Sequence, residues 1–144
     1  MKPHIFRISI AAEKEQKKSN VKSAILKAGE GIKGDAHSGS ARPVSLLPFE
    51  SFKKLEHPDL DIRPGDFAEN ITTLGVDFAK LTIGTKLVLG QAVKVEIIQI
   101  GKECHLGCII RETVGDCIMP REGVFAQVLT GGEIKEGDPV RILG

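Results

Sequence analysis

Apolar and polar residues alternate with a period of two along most of the chain, which is the pattern of strands that bury one face. Gly, Pro, Asp or Asn bound each alternating run, and these residues favour turns. The runs predict strands at 4–12, 21–29, 42–47, 69–75, 85–90, 92–101, 123–132 and 138–144. The stretch LGQAV at 89–93 predicts a tight hairpin. Many short strands separated by turn signals indicate an all-β sandwich or barrel.

Helical spacing is concentrated in one segment, 48–57. Phe49, Phe52 and Leu55 recur there at intervals of three, and a proline precedes them where a first turn accepts it. The segment therefore predicts a short helix. Residues 104–113 are expected to form a short turn of helix.

Two polar stretches are expected to connect these elements. The lysine-rich stretch 13–22 predicts a solvated loop, and the glycine-rich stretch TGGEIKEGD at 130–138 is expected to turn the chain. Neither an internal repeat nor a linker composition is visible. The 144 residues are therefore predicted to form a single domain, 1–144.

Charge and composition narrow the classes of partner. The formal net charge is +1, which argues against nucleic acid, because proteins that neutralise many phosphates carry a basic excess. No apolar run approaches the length of about 18 residues that a membrane span needs. Arg7 interrupts the apolar part of the first segment and a charged run follows it, so this segment predicts a strand rather than a signal peptide. A cytoplasmic protein is expected.

All three cysteines, Cys104, Cys108 and Cys117, lie in one segment, GKECHLGCIIRETVGDCIMPREG at 101–123. A disulfide is disfavoured in a reducing compartment. A zinc site would need a fourth ligand, for example a histidine, since CHLGC supplies a permissive but not diagnostic spacing. Inert buried thiols are a further alternative for Cys104 and Cys108.

Cys117 has a setting of its own, GDCIMPREG, with glycines on both sides. Arg121 lies four residues on and would lower a thiol pKa, whereas Asp116 would raise it. A thiolate at this position would be a nucleophile or a soft metal ligand.

Two further segments combine glycines with polar residues: GEGIKGDAHSGSARPVSLL from Gly29 and RPGDFAENITTLG from Arg63. An aspartate after a glycine often caps its own turn, which is one interpretation of Asp35 and Asp66. His37 lies among small residues, where it either caps a turn, ligates metal or binds anionic oxygen. Arg42 follows closely, and a His–Arg pair suits a phosphate or pterin ligand. Glu69 and Asn70 either bind such a ligand or cap a strand edge.

These motifs together resemble the MOSC family, the domain named after the C-terminal part of molybdenum cofactor sulfurases. The resemblance rests on GIKGDAHSG, RPVSLL, GDFAENIT, LTIGTKLVLG, CHLGCIIRETVGDCIMPREGVFAQVL and GGEIKEGDPVRIL, which occur in family order between about 29 and 143. It is closest to the short bacterial single-domain members. The resemblance implies a mainly β fold, a compact β-barrel with a few short helices.

The resemblance also implies a function. Members handle molybdenum cofactor (molybdopterin) or carry sulfur on a cysteine, and Cys117 matches the cysteine that ligates molybdenum in larger relatives. Cys104 and Cys108 match a second pair found in similar domains. A cofactor phosphate would be bound by Lys33, His37 and Arg42 in the glycine-rich segment, and the pterin by Asp66, Glu69 and Asn70. Asp35 and Arg121 complete the set of candidate cofactor-binding residues.

The resemblance covers neither the N-terminal barrel domain of reductase-type relatives nor the desulfurase module of true sulfurases. A sulfur donor (a cysteine desulfurase) or a molybdoenzyme acceptor would therefore act in trans. Two alternatives remain open: a small molybdenum-dependent oxidoreductase acting on N-hydroxylated compounds, and a zinc-stabilised, non-catalytic binding barrel.

Overall fold

A computed structural model describes residues 2–12, 18–55, 63–67, 69–101 and 123–143. Its strands are β1 (His4–Ile10), β2 (Ser19–Val21), β3 (Ser23–Lys27), β4 (Gly31–Ile32), β5 (Val44–Pro48), β6 (Ile71–Leu74), β7 (Lys86–Leu89), β8 (Val93–Ile100), β9 (Val124–Thr130), β10 (Gly132–Lys135) and β11 (Val140–Leu143). Two 3₁₀ helices are described, Phe49–Leu55 and Phe78–Lys80. Within the described residues, no helix is long and apolar enough to cross a membrane.

Eight strands form the larger sheet, in the order β11-β7-β8-β9-β5-β6-β1-β2. All of its pairs are antiparallel except β5 and β6, which run parallel with Leu46 opposite Ile71. The predicted mainly β fold is confirmed. The described strand pairing leaves the barrel open, because β2 and β11 lie at the two edges; a single bridge from His4 to Pro139 links β1 to the residues just before β11.

The smaller sheet has the order β10-β3-β4. Both sheets contribute to one hydrophobic core, and each strand of the larger sheet contributes the residues of one face, as a period-two pattern requires. Its fully buried side chains include Ile8, Leu46, Ile71, Leu87 and Ile97. Burying each such side chain contributes about 1.5–3 kcal/mol, so this face holds the strands in register.

β5 is covered on both faces, since all five of its residues are buried. The face away from the core carries polar residues that are also buried, among them Ser45 on β5 and Thr72 on β6. The 3₁₀ helix Phe49–Leu55 follows β5 directly, and its Phe49 and Phe52 rings have centroids 5.1 Å apart. The sheet thus has a second, mixed polar and aromatic side.

Several local predictions are refined by the structure. The predicted strands and the 89–93 hairpin are present, whereas the predicted helix at 48–57 is a 3₁₀ helix. The glycine-rich stretch 130–138 was expected only to turn, but Gly132–Lys135 forms β10 before the turn. The prediction of a solvated loop at 13–22 is wrong for its second half: Ser19–Val21 forms β2, and Lys18 is only 5% exposed. Residues 13–17 lie outside the described residues.

Candidate functional site

The candidate site forms where the C-terminal end of β1 meets the N-terminal end of β6. β1 and β6 are antiparallel, with Ile8 opposite Ile71, so Ser9 lies beside Asn70. The backbone N–H of Ser9 donates to the Asn70 carbonyl at 2.7 Å. The loop that follows β4 reaches the same place, since the Ala36 N–H donates to the Ala11 carbonyl. Three segments that are distant in sequence therefore converge here.

Asn70 forms hydrogen bonds to both β5 and β1. Its Oδ1 accepts from the backbone N–H of Ser45 at 3.0 Å, and its Nδ2 donates to the carbonyl of Ser9 at 3.1 Å. Its own backbone N–H donates to Ser45 Oγ at 3.0 Å. A buried amide whose oxygen and nitrogen both bond within the protein specifies the positions of its neighbours.

Glu69 is fully buried beside Asn70, and only one of its two carboxylate oxygens has a hydrogen-bond partner among the described residues. Its Oε2 accepts from the backbone N–H of Gly65 at 3.0 Å and from Thr72 Oγ1 at 2.8 Å. Its Oε1 is buried and has no hydrogen-bond partner among the described residues. Burial raises the pKa of Glu69 to about 7, against hydrogen bonds from the Gly65 N–H, the Thr72 hydroxyl and the backbone N–H groups of Glu69 and Phe67, which lower it.

The turn at 63–67 requires a glycine at position 65. Its φ is +98°, and a Cβ at this position would lie 2.2 Å from the carbonyl oxygen of Lys18. The backbone of Lys18 is itself held in place, because its N–H donates to the Gly65 carbonyl at 2.9 Å. The predicted turn-capping interpretation of Asp66 fits the geometry, because its Oδ2 accepts from the Arg63 N–H at 2.9 Å.

A buried ion pair lies next to this turn. Lys18 Nζ is 2.7 Å from Asp35 Oδ1, and the two side chains are 1% and 0% exposed. Asp35 also accepts the backbone N–H groups of Ala11 and His37, each at 3.1 Å. Burial by itself would raise the pKa of Asp35, but the contacts of its carboxylate with the His37 and Lys18 side chains, the hydrogen bond from the Ala11 N–H and the Lys18 charge hold it well below its usual range. Asp35 is therefore an anion buried with its partner.

His37 borders this pair at the surface. Its Nδ1 is 3.1 Å from Lys18 Nζ and 3.6 Å from Asp35 Oδ2, and its side chain is 29% exposed. Lys33 and Arg42 are exposed. The Arg42 guanidinium lies over the Phe125 ring, 5.3 Å from its centroid. Three residues with basic side chains thus lie in or beside the 33–42 loop.

Residues 102–122 of the cysteine-bearing segment lie outside the described residues, and with them Cys104, Cys108, Cys117, Arg121 and the predicted turn of helix at 104–113. The two end residues of the segment are described: the Gly101 N–H donates to the Gly123 carbonyl at 2.6 Å, next to the paired strands β8 and β9. Val124 and Ile71 both pair with Leu46, so the end of this segment and the start of β6 lie on the two sides of β5.

Four of the predicted residues, Asp35, His37, Glu69 and Asn70, therefore belong to one connected hydrogen-bond network. Among the described residues, no three His, Cys, Asp or Glu side chains group closely enough to hold a metal ion. Sequence reasoning missed other members of the network, among them Ser9, Lys18, Ser45, Gly65 and Thr72. Of these five, only Gly65 had a local signal, its place between a proline and an acid.

A family model described as MOSC domain matches residues 33–141. Among solved structures, YuaD from Bacillus subtilis has 18% sequence identity and a TM-score of 0.75, with 99% of this chain and 96% of that chain covered. YiiM from Geobacillus stearothermophilus has 21% identity and a TM-score of 0.74, with coverages of 99% and 75%. YiiM from Escherichia coli has 18% identity and a TM-score of 0.66, with coverages of 96% and 70%. These likenesses show a shared fold. A comparison with curated proteins finds no match.

Proposed function

Because the chain belongs to the MOSC domain family, which is associated with molybdenum cofactor binding or sulfurase activity, we propose that it binds molybdenum cofactor or carries sulfur towards it. Cys117 is the proposed reactive thiol. The observation that carries the proposal is the buried Oε1 of Glu69, which has no partner among the described residues and lies in the network that contains Asp35, His37 and Asn70. Buried polar atoms are nearly always paired, so this unpaired oxygen calls for a partner, and the proposal is that a ligand group supplies it.

The described residues carry groups of the kinds that the polar parts of the cofactor need. A phosphate needs cationic or N–H donors, and Lys33, His37 and Arg42 carry them at or near the surface. A pterin needs paired donors and acceptors, and the free oxygen of Glu69 supplies one. Asn70 and Asp66 also hold the backbone of this proposed site in place, since each bonds within the protein.

When bound, the cofactor would supply a redox-active molybdenum held by its dithiolene. The chain would bind the phosphate and pterin through the residues above and provide the Cys117 thiolate as a soft ligand. Arg121 is proposed to favour the thiolate form of Cys117. These roles remain proposals for residues 117 and 121, which lie outside the described part of the chain.

In sulfur carriage, the Cys117 thiolate would attack the terminal sulfur of a persulfide on a cysteine desulfurase. A new S–S bond forms at Cys117, and the donor cysteine leaves as its thiolate, so no external oxidant is needed. The acceptor would be a molybdoenzyme or its cofactor, also supplied in trans. Cys104 and Cys108 are proposed as the thiols that release the sulfur or resolve an oxidised Cys117.

Two readouts test the proposal. The wild type is incubated anaerobically with a persulfidated cysteine desulfurase, and the mass of one added sulfur is sought by mass spectrometry. Isolated molybdenum cofactor is titrated into a separate sample. Cys117→Ser is the test variant, and Thr113→Ala, in the same segment and outside the proposed machinery, is the control. Loss of both sulfur loading and cofactor binding in Cys117→Ser, with binding kept in the control, supports the assignment. A Cys117→Ser protein that retains both would overturn it.

A further inference from the structure

Burial of the ion pair between Lys18 and Asp35 is weak evidence for a role in stability. Replacing a buried ion pair with apolar residues is often neutral or stabilising, because desolvation offsets the attraction between the charges. The two side chains are 1% and 0% exposed, so the cost of desolvation falls on both charges. A function for the pair is suggested by the group that it contacts at the surface, the imidazole of His37.

The contact determines where the imidazole proton resides. Lys18 Nζ lies 2.7 Å from Asp35 Oδ1, which is the distance of an ammonium group paired with a carboxylate. An ammonium group has three N–H donors and no lone pair. His37 Nδ1, 3.1 Å from Nζ, must therefore be the acceptor, and the ring proton must be on Nε2.

The alternative assignment is weaker. If Nδ1 carried the proton, its nearest acceptor would be Asp35 Oδ2 at 3.6 Å, which is beyond hydrogen-bond distance. That same oxygen already accepts the backbone N–H of His37 at 3.1 Å. An N–H at Nδ1 would also point at the donor group of Lys18. The geometry favours the Nε2–H tautomer.

Nε2 is the donor that this arrangement leaves available. No described residue accepts a hydrogen bond from it, and the side chain is 29% exposed. The buried pair lies at Nδ1, so the exposed part of the ring lies on the other side. Lys33 and Arg42, in the same loop, make this surface attractive to anions.

We propose that Lys18 and Asp35 are positioning residues that fix His37 in the Nε2–H tautomer, and that this N–H donates a hydrogen bond to a phosphate oxygen of the bound ligand. The second half rests on the proposed function, since the phosphate is taken to be that of the cofactor. The first half is a property of the protein alone and is tested without any ligand.

The tautomer is read from the ¹⁵N and ¹³C shifts of the imidazole in histidine-labelled protein at about pH 8, where imidazoles are mostly neutral. His37→Gln assigns the signal among the four histidines. The wild type is expected to show the Nε2–H tautomer. Lys18→Met should move the proton to Nδ1, because the Asp35 carboxylate then becomes its nearest charged partner at 3.6 Å. A wild-type Nδ1–H signal would overturn the first half.

Inorganic phosphate is the probe for the second half. Wild-type His37 signals are expected to shift on phosphate titration, and Lys18→Met should bind phosphate about tenfold more weakly, as loss of a charged-group hydrogen bond implies. Lys22→Met is the matched control: it removes one positive charge from an exposed lysine, 94% exposed, without touching His37. Unchanged His37 signals with phosphate, or equal weakening in both lysine variants, would overturn the second half.

Two further arms separate the possible failures. Because Lys18→Met leaves a buried Asp35 unpaired, the double variant Lys18→Met with Asp35→Asn supplies a neutral pair that is expected to fold. It should show a tautomer mixture, and a pure Nε2–H signal in it would contradict positioning by the pair.

A parallel titration with isolated molybdenum cofactor tests the proposed function separately. Phosphate binding without cofactor binding would count against that function and leave the tautomer assignment standing.

Discussion

The buried carboxyl of Glu69 makes the free energy of unfolding depend on pH in a way that can be calculated. Its pKa rises from 4.5 to about 7 on folding. Between these values the folded state binds more protons than the unfolded state, so stability is complete below 4.5 and is lost as the pH rises through about 7. Each pKa unit corresponds to about 1.4 kcal/mol, which gives a total loss of about 3 kcal/mol.

Glu69→Gln removes the ionisable group and keeps a side-chain oxygen that can accept from Gly65 and Thr72. We expect the stability of this variant relative to the wild type to increase by about 2–3 kcal/mol between about pH 5 and about pH 8. Urea denaturation at a series of pH values measures this difference. Glu133→Gln, at an exposed position on β10, is the matched control and should show no such increase.

The reasoning would be refuted by a Glu69→Gln variant whose stability relative to the wild type is the same at both ends of this pH range. Such a result would mean that Glu69 ionises as readily in the folded as in the unfolded protein. Its free oxygen would then have a solvent or protein partner, and the main support for the proposed ligand site would be removed. An increase in the relative stability of Glu69→Gln would confirm that the buried carboxyl destabilises the fold at neutral pH, as residues of functional sites often do.

Two further substitutions test the scaffold around the site. Gly65→Ala should destabilise the protein by about 3 kcal/mol or more in urea denaturation, because its Cβ would lie 2.2 Å from a backbone oxygen; Gly84→Ala, with a similar φ of +96° and open space, should lose only about 1 kcal/mol, and equal losses would contradict the steric argument. Asn70→Ala should cost about 2–4 kcal/mol by thermal or urea unfolding, since it leaves buried groups of two strands unpaired, whereas the exposed Gln91→Ala should stay within about 0.5 kcal/mol. A loss below about 1 kcal/mol for Asn70→Ala would show that water replaces those bonds.

The strands could be predicted because their pattern reports burial directly. β8 alternates buried and less buried residues over most of Val93–Ile100, which is the signal that the sequence carries. β10 was missed because only Ile134 is buried in it and its flanking glycines resemble a turn. β4 has two residues, too few for any periodicity.

The site could be predicted only in part. Asp35, His37, Glu69 and Asn70 stood out as polar residues among glycines and short strands, and the structure brings them together. Lys18 had no local signal, since its burial depends on a partner 17 residues away and its neighbours in sequence are charged. Long-range partners of this kind follow from the topology, which local pattern does not specify.

The central claim is that this chain provides a site for molybdenum cofactor. The most direct measurement is the molybdenum content of the wild-type chain after anaerobic incubation with isolated cofactor and removal of the unbound excess by gel filtration. We predict about one molybdenum per chain, with most of it lost in Cys117→Ser, as a single ligating thiolate implies. Wild-type protein that emerges folded and free of molybdenum would contradict the claim.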